Sequence, residues 1–265
     1  HPFDNSDGDS VGGITSPYKS SYPEETVMSY RNPRSGYGKW PQRFSNNDIN
    51  ALISIWGEEK VNRNKTLTGT FNNDQLEGFS GSDFGHDLLD GGAGNDTLLG
   101  HKGQDTLLGG SGDDFLHGNH GKDSLTGSQG IDTLRGGHGH DYIDGGSDAD
   151  WIWGGIGANE VKAGASDGAS DSIYVPVDAV QNTNGNPNGV NRDLLKEIDS
   201  SDKIYLHGTG ITDSMLTYQN NVVDPTGTGN TGVGIYANGT LEALIIGSGL
   251  NAIQIDAMTT GGWYA

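Results

Sequence analysis

Eight aspartates and one asparagine recur at nine-residue spacing through the middle of this chain. From Gly91 the sequence reads GGAGNDTLL, GHKGQDTLL, GGSGDDFLH, GNHGKDSLT, GSQGIDTLR, GGHGHDYID, GGSDADWIW and GGIGANEVK. A less regular unit, Ser82 to Asp90, precedes these eight. The sixth position carries Asp87, Asp96, Asp105, Asp114, Asp123, Asp132, Asp141 and Asp150, then Asn159. An earlier outlier, GTFNNDQLE around Asp74, sits four residues out of phase.

If two repeats make one coil, like turns fall 18 residues apart. Asp87, Asp105, Asp123 and Asp141 then line one edge, and Asp96, Asp114, Asp132 and Asp150 line the other. Unit charges ~4 Å apart repel by roughly 1 kcal/mol in water and ~4 kcal/mol at an effective dielectric of ~20. A hard cation between neighbouring turns reverses that sign. It takes carboxylate oxygens together with backbone carbonyls exposed by glycine turns at Gly91, Gly94, Gly100, Gly103, Gly109, Gly112, Gly118, Gly121, Gly127, Gly130, Gly136, Gly139 and Gly145. About six to eight flexible oxygen ligands and no sulfur describe a calcium site rather than a zinc site. The spacing predicts about six calcium ions, with one or two more at the ends, and Asn159 and Asp74 as outer ligands.

The residues between the aspartates say how such turns are held. Position 8 is aliphatic in all nine units: Leu89, Leu98, Leu107, Leu116, Leu125, Leu134, Ile143, Ile152 and Val161. Positions 1 and 4 are glycine in eight of nine units each, which rules out helix, because glycine costs ~1 kcal/mol per residue there. Gly, Asn and Asp suit turns that use positive φ. The last three residues alternate polar, aliphatic, polar, a strand too short to survive alone. Stacked copies would bury the single inward side chain against one another as a parallel roll with a core one aliphatic residue deep.

Composition agrees. The 265 residues include 45 glycines and no cysteine, so no disulfide framework is available. The net charge of −20 argues against nucleic acid as a partner, because phosphate binding needs a basic face. No apolar stretch approaches the ~18 residues of a membrane span. The opening residues, His1-Pro2-Phe3-Asp4, carry no methionine and no signal-peptide pattern, and read as the middle of something longer.

Two features inside the repeats have two readings each. His101, His120 and His138 fall on one edge near the turns; they are solvated turn residues or a catch for a transition metal. Trp151 and Trp153 flank Ile152 and so point outward; they pack under the C-terminal segment or meet a sugar or protein partner.

The nonapeptide consensus resembles that of RTX (repeats-in-toxin) proteins. Upstream, Ser45-Asn46-Asn47-Asp48 reads as a capping-box start, with Ile49, Leu52, Ile53 and Trp56 at helical spacing and Gly57 as the stop. Glu25-Thr26-Val27-Met28-Ser29-Tyr30 with the segment Asp48 to Leu52 resembles the end of the catalytic domain of serralysin-type (peptidase M10, metzincin) zinc endopeptidases. Met28-Ser29-Tyr30 matches the family's Met-turn, and His1-Pro2-Phe3-Asp4 resembles the last histidine of its zinc motif. By that resemblance His1 is a zinc ligand and Tyr30 a second. The first two histidines and the general-base glutamate of H-E-x-x-H are not in this sequence, so the chain by itself is expected to be inactive. Downstream, Ser172-Ile173-Tyr174-Val175 reads as the last strand of the roll. The segments Asp193 to Asp199 and Asp202 to Leu206 resemble the passage that closes the roll in the same proteins. Gly234 to Ile246 reads as a hairpin around Asn238-Gly239.

The expected class is therefore mainly β, a parallel β-roll with a short N-terminal helical remnant of a metzincin catalytic domain and a β-rich C-terminal cap. The expected divisions are 1–65 for the remnant, 66–175 for the roll, and 176–265 for the cap with a type I secretion signal region. The resemblance implies a secreted, extracellular protein that folds on calcium and meets the type I secretion machinery. Zn2+ belongs to the parent enzyme, with protein as its substrate. The alternative is a non-enzymatic extracellular surface, adhesion or carbohydrate-binding protein that keeps a decayed protease remnant.

Overall fold

The computed structural model describes residues 64–80, 85–164, 168–177, 192–208, 210–224 and 229–262. The expectations for His1, Tyr30, the Met28 turn and the helix after Ser45 fall outside these residues.

Two sheets, joined by the glycine turns, build the fold. Among the described residues the first has ten strands and the second eight. The chain alternates between them. Strands β1 (Thr66–Thr68), β3 (Leu88–Ala93), β5 (Thr106–Ser111), β7 (Ser124–Gln129), β9 (Tyr142–Ser147) and β11 (Glu160–Gly164) enter the first. Strands β2 (Gln75–Glu77), β4 (Thr97–Gly103), β6 (Phe115–Gly121), β8 (Thr133–His138), β10 (Trp151–Ile156) and β12 (Ser172–Pro176) enter the second. All of these pair in parallel, and through the repeats the register advances by 18, as in Leu89↔Leu107 and Leu98↔Leu116. The coil is thus two repeats long, as the spacing requires.

One aliphatic side chain per strand points inward. Leu89, Leu107, Leu125, Ile143 and Val161 stack on one side, and Leu98, Leu116, Leu134 and Ile152 on the other, all fully buried. Burying each is worth roughly 1.5–3 kcal/mol. The strands are longer than the three-residue alternation suggests. Most run six or seven residues, into the glycines of the next unit. The ladder continues there because glycine stacks on glycine, as Gly92↔Gly110 shows.

The roll does not end with Ser172–Val175 either. Strands β13 (Asp193–Lys196), β14 (Lys203–His207), β17 (Thr240–Ile246) and β18 (Thr259–Gly262) extend both sheets in parallel. Leu195, Ile204 and Ile245 continue the inward rows. Antiparallel strands β15 (Leu216–Val223) and β16 (Thr231–Ala237) then close the first sheet against β17. The β16–β17 hairpin turns on Asn238 and Gly239 at φ 50° and 82°, the left-handed pair that an Asn-Gly loop supplies. Helix α1 (Ala252–Met258) was not expected; Asn251 and Gln254 form a capping box at its start.

Candidate metal-binding edges

Each sixth-position aspartate sits just before a strand, at the mouth of its turn, and is buried. On the edge that feeds the first sheet, Asp87 N–H donates to Asp105 Oδ1 at 2.8 Å. Asp105 donates to Asp123 at 2.9 Å, Asp123 to Asp141 at 2.9 Å, and Asp141 to Asn159 at 3.0 Å. On the edge that feeds the second sheet, Asp96 donates to Asp114 at 2.7 Å, Asp114 to Asp132 at 2.8 Å, and Asp132 to Asp150 at 2.8 Å. The two rows drawn from sequence spacing are the two rows in the structure. Asp74, out of phase in sequence, is in phase in space: its N–H donates to Asp96 Oδ1 at 2.7 Å. Its strand β2 pairs with β4 at a register of 22, so the extra residues lie in the connection and leave the row intact.

The backbone bond uses one carboxylate oxygen. The other, Oδ2, is buried without a hydrogen-bond partner in Asp96, Asp105, Asp114, Asp123, Asp132, Asp141 and Asp150. Seven orphaned carboxylate oxygens in two rows are far more than a fold tolerates as isolated defects. The first glycine of each unit shows what surrounds them. A Cβ on Gly91 would lie against Asp96 Oδ2 and 2.6 Å from the Gly109 carbonyl oxygen. A Cβ on Gly109 would meet Asp114 Oδ2 and, at 2.8 Å, the Gly127 carbonyl. The same pattern holds at Gly100, Gly127 and Gly136. The orphan oxygens of Asp96, Asp105, Asp114, Asp132, Asp141 and Asp150 therefore each share a small glycine-walled cradle with a backbone carbonyl of the next coil, and that of Asp123 lies against Gly118. The fourth glycines do a different task. Gly103, Gly121 and Gly139 pack directly on the fourth-position carbonyl of the coil before, leaving no room for any side chain.

Burial raises the carboxyls. Asp105, Asp123 and Asp132 are pushed up to about 7, Asp114 and Asp141 to about 6, and Asp150 to about 8, each against a backbone N–H that favours the anion. Neighbouring aspartates raise all of these but Asp141 further. Such groups either hold a proton or share a cation. Among the described residues no three acidic or imidazole side chains converge as a metal cage, so a cation here draws most of its ligands from the backbone. Carboxylate and carbonyl oxygen without nitrogen or sulfur is a donor set for calcium.

The rows extend beyond the repeats. Asp150 N–H donates to Asp171 Oδ1 at 2.8 Å, and Asp171 N–H to Asp202 Oδ1 at 3.1 Å. On the other edge Asn159 N–H donates to Asp193 Oδ1 at 3.0 Å. Sequence reasoning placed none of these three in the rows. The signal was present in Asp171-Ser172-Ile173, Asp193-Leu194-Leu195 and Asp202-Lys203-Ile204, the same Asp-x-aliphatic triplet without its glycines. At Asp202 the second oxygen finds a protein donor, Oδ2 accepting from Asp199 N–H at 2.8 Å, whereas Asp193 Oδ2 is buried without a hydrogen-bond partner like those of the repeats.

The histidines do not form one stack. His120 and His138 are in register, with ring centroids 4.7 Å apart. His101 pairs with Asn119 instead, because it is the second residue of its unit and they are the third. Among the described residues the outward tryptophans are not packed under the C-terminal segment; they join a ladder on the second sheet. Trp153 stacks on Tyr174 at 4.4 Å, and Tyr174 on Tyr205 at 4.8 Å. The Arg135 guanidinium lies 4.9 Å from the Trp153 ring centroid, between it and Phe115. With one face on a tyrosine and a guanidinium over its ring, Trp153 has no free face for a sugar.

Residues 83–161 match the family of the RTX calcium-binding nonapeptide repeat, in four overlapping copies at 83–116, 100–134, 117–152 and 126–161. No curated protein matches the chain. The central coils are RTX calcium-binding repeats wound as a parallel β-roll.

Proposed function

We propose that this chain is a secreted module whose roll folds only when calcium neutralises its two carboxylate rows. The observation that carries this reading is the set of orphaned Oδ2 atoms, each against the first glycine of its unit and all but that of Asp123 beside a backbone carbonyl of the next coil. Asp96, Asp105, Asp114, Asp123, Asp132, Asp141 and Asp150 would hold the ions, with carbonyls of the first glycines as partners. Bound calcium supplies the positive charge that lets neighbouring carboxylates ionise side by side at neutral pH. The protein's own part is to present the oxygens. The N–H of each aspartate fixes Oδ1 of the next, and the missing Cβ keeps the cradle open.

The consequence is a folding switch set by compartment. At low calcium the acidic, glycine-rich chain stays unfolded and can be threaded through a type I exporter; at high external calcium it winds up. The finer identity is the C-terminal portion of a serralysin-like zinc endopeptidase. Its support is the sequence resemblance over residues 1–57, with His1 and Tyr30 as its zinc residues. The test is far-UV circular dichroism of the full chain in calcium and in excess chelator. The β signal should appear on adding calcium and vanish on removing it. An unchanged spectrum in chelator would defeat the reading.

A further inference from the structure

We infer that the calcium row on the edge feeding the first sheet is finite by construction, closed at its far end by the Asn159 amide and at its near end by the Lys65 ammonium. This rests on the calcium reading of the rows.

Asn159 stands in the sixth position, where the preceding coils carry aspartate. Its Oδ1 accepts the Asp141 N–H at 3.0 Å, which fixes the orientation of the amide, since the reverse would set donor against donor. Nδ2 is therefore the atom that takes the place of the orphan oxygen. A Cβ on Gly154, the first glycine of this unit, would lie 2.8 Å from Asn159 Nδ2, where its counterparts meet a carboxylate oxygen of their own unit; the carboxylate oxygen here, Asp193 Oδ2 at 3.1 Å, comes from the next coil. The amide donates to Asp193 Oδ1 at 3.0 Å and to the Gly155 carbonyl at 3.3 Å. An N–H donor aimed at the ligand position repels a cation and offers no lone pair. It also serves Oδ1 of the next carboxylate from within the protein, while Asp193 Oδ2 is left buried without a donor.

Lys65 stands in the same position one coil before Asp87, since Lys65 N–H donates to Asp87 Oδ1. Its Nζ donates to the Gly78 carbonyl at 2.8 Å and the Glu77 carbonyl at 3.0 Å. Gly78 is the first glycine of the Asp87 coil, as a Cβ there would meet Asp87 Oδ2 and the Gly100 carbonyl. A fixed positive charge already serves the carbonyl that a cation would use. The other edge carries no nitrogen at this position from Asp74 to Asp202.

The experiment is calcium stoichiometry of the full chain by native mass spectrometry at saturating calcium. If the unsubstituted chain binds n ions, Asn159→Asp should bind n + 1, because a carboxylate at this position would face the donorless Asp193 Oδ2 with no side-chain donor between them. Binding of n by that variant overturns the inference. Asp141→Asn moves the amide one coil inward and should bind fewer than n; an unchanged count would overturn it as well. If the unsubstituted chain binds no calcium, the calcium reading itself fails, whatever the variants do.

Discussion

The coils from Gly91 to Val161 and the coils that follow share one skeleton and differ in one respect. Both use aspartates at strand starts, bond their Oδ1 to the preceding coil, and bury an aliphatic residue two positions on, although Asn159 takes that place before β11 and no aspartate stands before β17 or β18. In the repeats Oδ2 is left without a donor, as it still is at Asp193 beside Gly154; at Asp202, which has no such glycine, a backbone N–H takes it. The rung and the ion cradle are thus separable. The rung needs only Asp-x-aliphatic, whereas the cradle needs a glycine at the first position.

The largest effect should come from calcium removal followed by hydrogen–deuterium exchange. In chelator, amides of β4 through β10 should lose protection by orders of magnitude, and those of the β16–β17 hairpin by much less. Equal loss in both regions would erase the distinction drawn here.

The pH dependence of the calcium-free chain is the next largest. Folded-state values of about 6 to 8 lie above the ordinary ~3.9 of an unfolded aspartate, so the folded state binds more protons. The penalty is absent below that unfolded value, grows as pH rises through the folded values, and levels off above about 8. Each titrating carboxylate contributes up to roughly 1.4 kcal/mol per pH unit. Acidification from pH ~8 to ~5 in chelator should therefore restore β structure, as read by circular dichroism. A fall in structure over that range would contradict the burial of these groups.

Core truncations should sharpen the shared part. With saturating calcium, Leu125→Ala and Leu195→Ala should each cost roughly 3 kcal/mol, since both side chains are fully buried in the same kind of row. A large inequality in urea titrations would show that the aliphatic row is not common to both regions.

The smallest effect concerns the turns. Ser128 occupies the second position at φ 88°, where most units have glycine. Ser128→Gly should stabilise by about 0.5–1 kcal/mol, the relief of left-handed strain offset by the freedom glycine gains on unfolding. The melting temperature in calcium measures it; a decrease would mean that the hydroxyl matters more than the backbone.

The repeats were legible because strict spacing ties carboxylate, glycine and aliphatic residue together. Asp87 through Asp150 and Leu89 through Val161 stand where that spacing puts them. Past Val161 the intervals become 34 residues to Asp193 and, on the other edge, 21 to Asp171 and 31 to Asp202. The spacing changes while the parallel register of the described strands continues, so periodicity fails where the fold does not. The offset of His101 was missed for a related reason. Sequence gives the edge a turn residue belongs to, but one position within a turn decides which neighbour it meets. Helix α1 was readable in principle, since Asn251 and Gln254 stand at capping-box spacing.

The aromatic ladder gives the chain an optical gauge of its own winding. Trp153 meets Arg135 from strand β8 and Tyr174 from strand β12, segments brought alongside it only when successive coils are stacked. Its emission and near-ultraviolet dichroism should change when those coils close. A Trp153→Phe difference spectrum would then time the docking of this one coil, a local clock set inside a global transition.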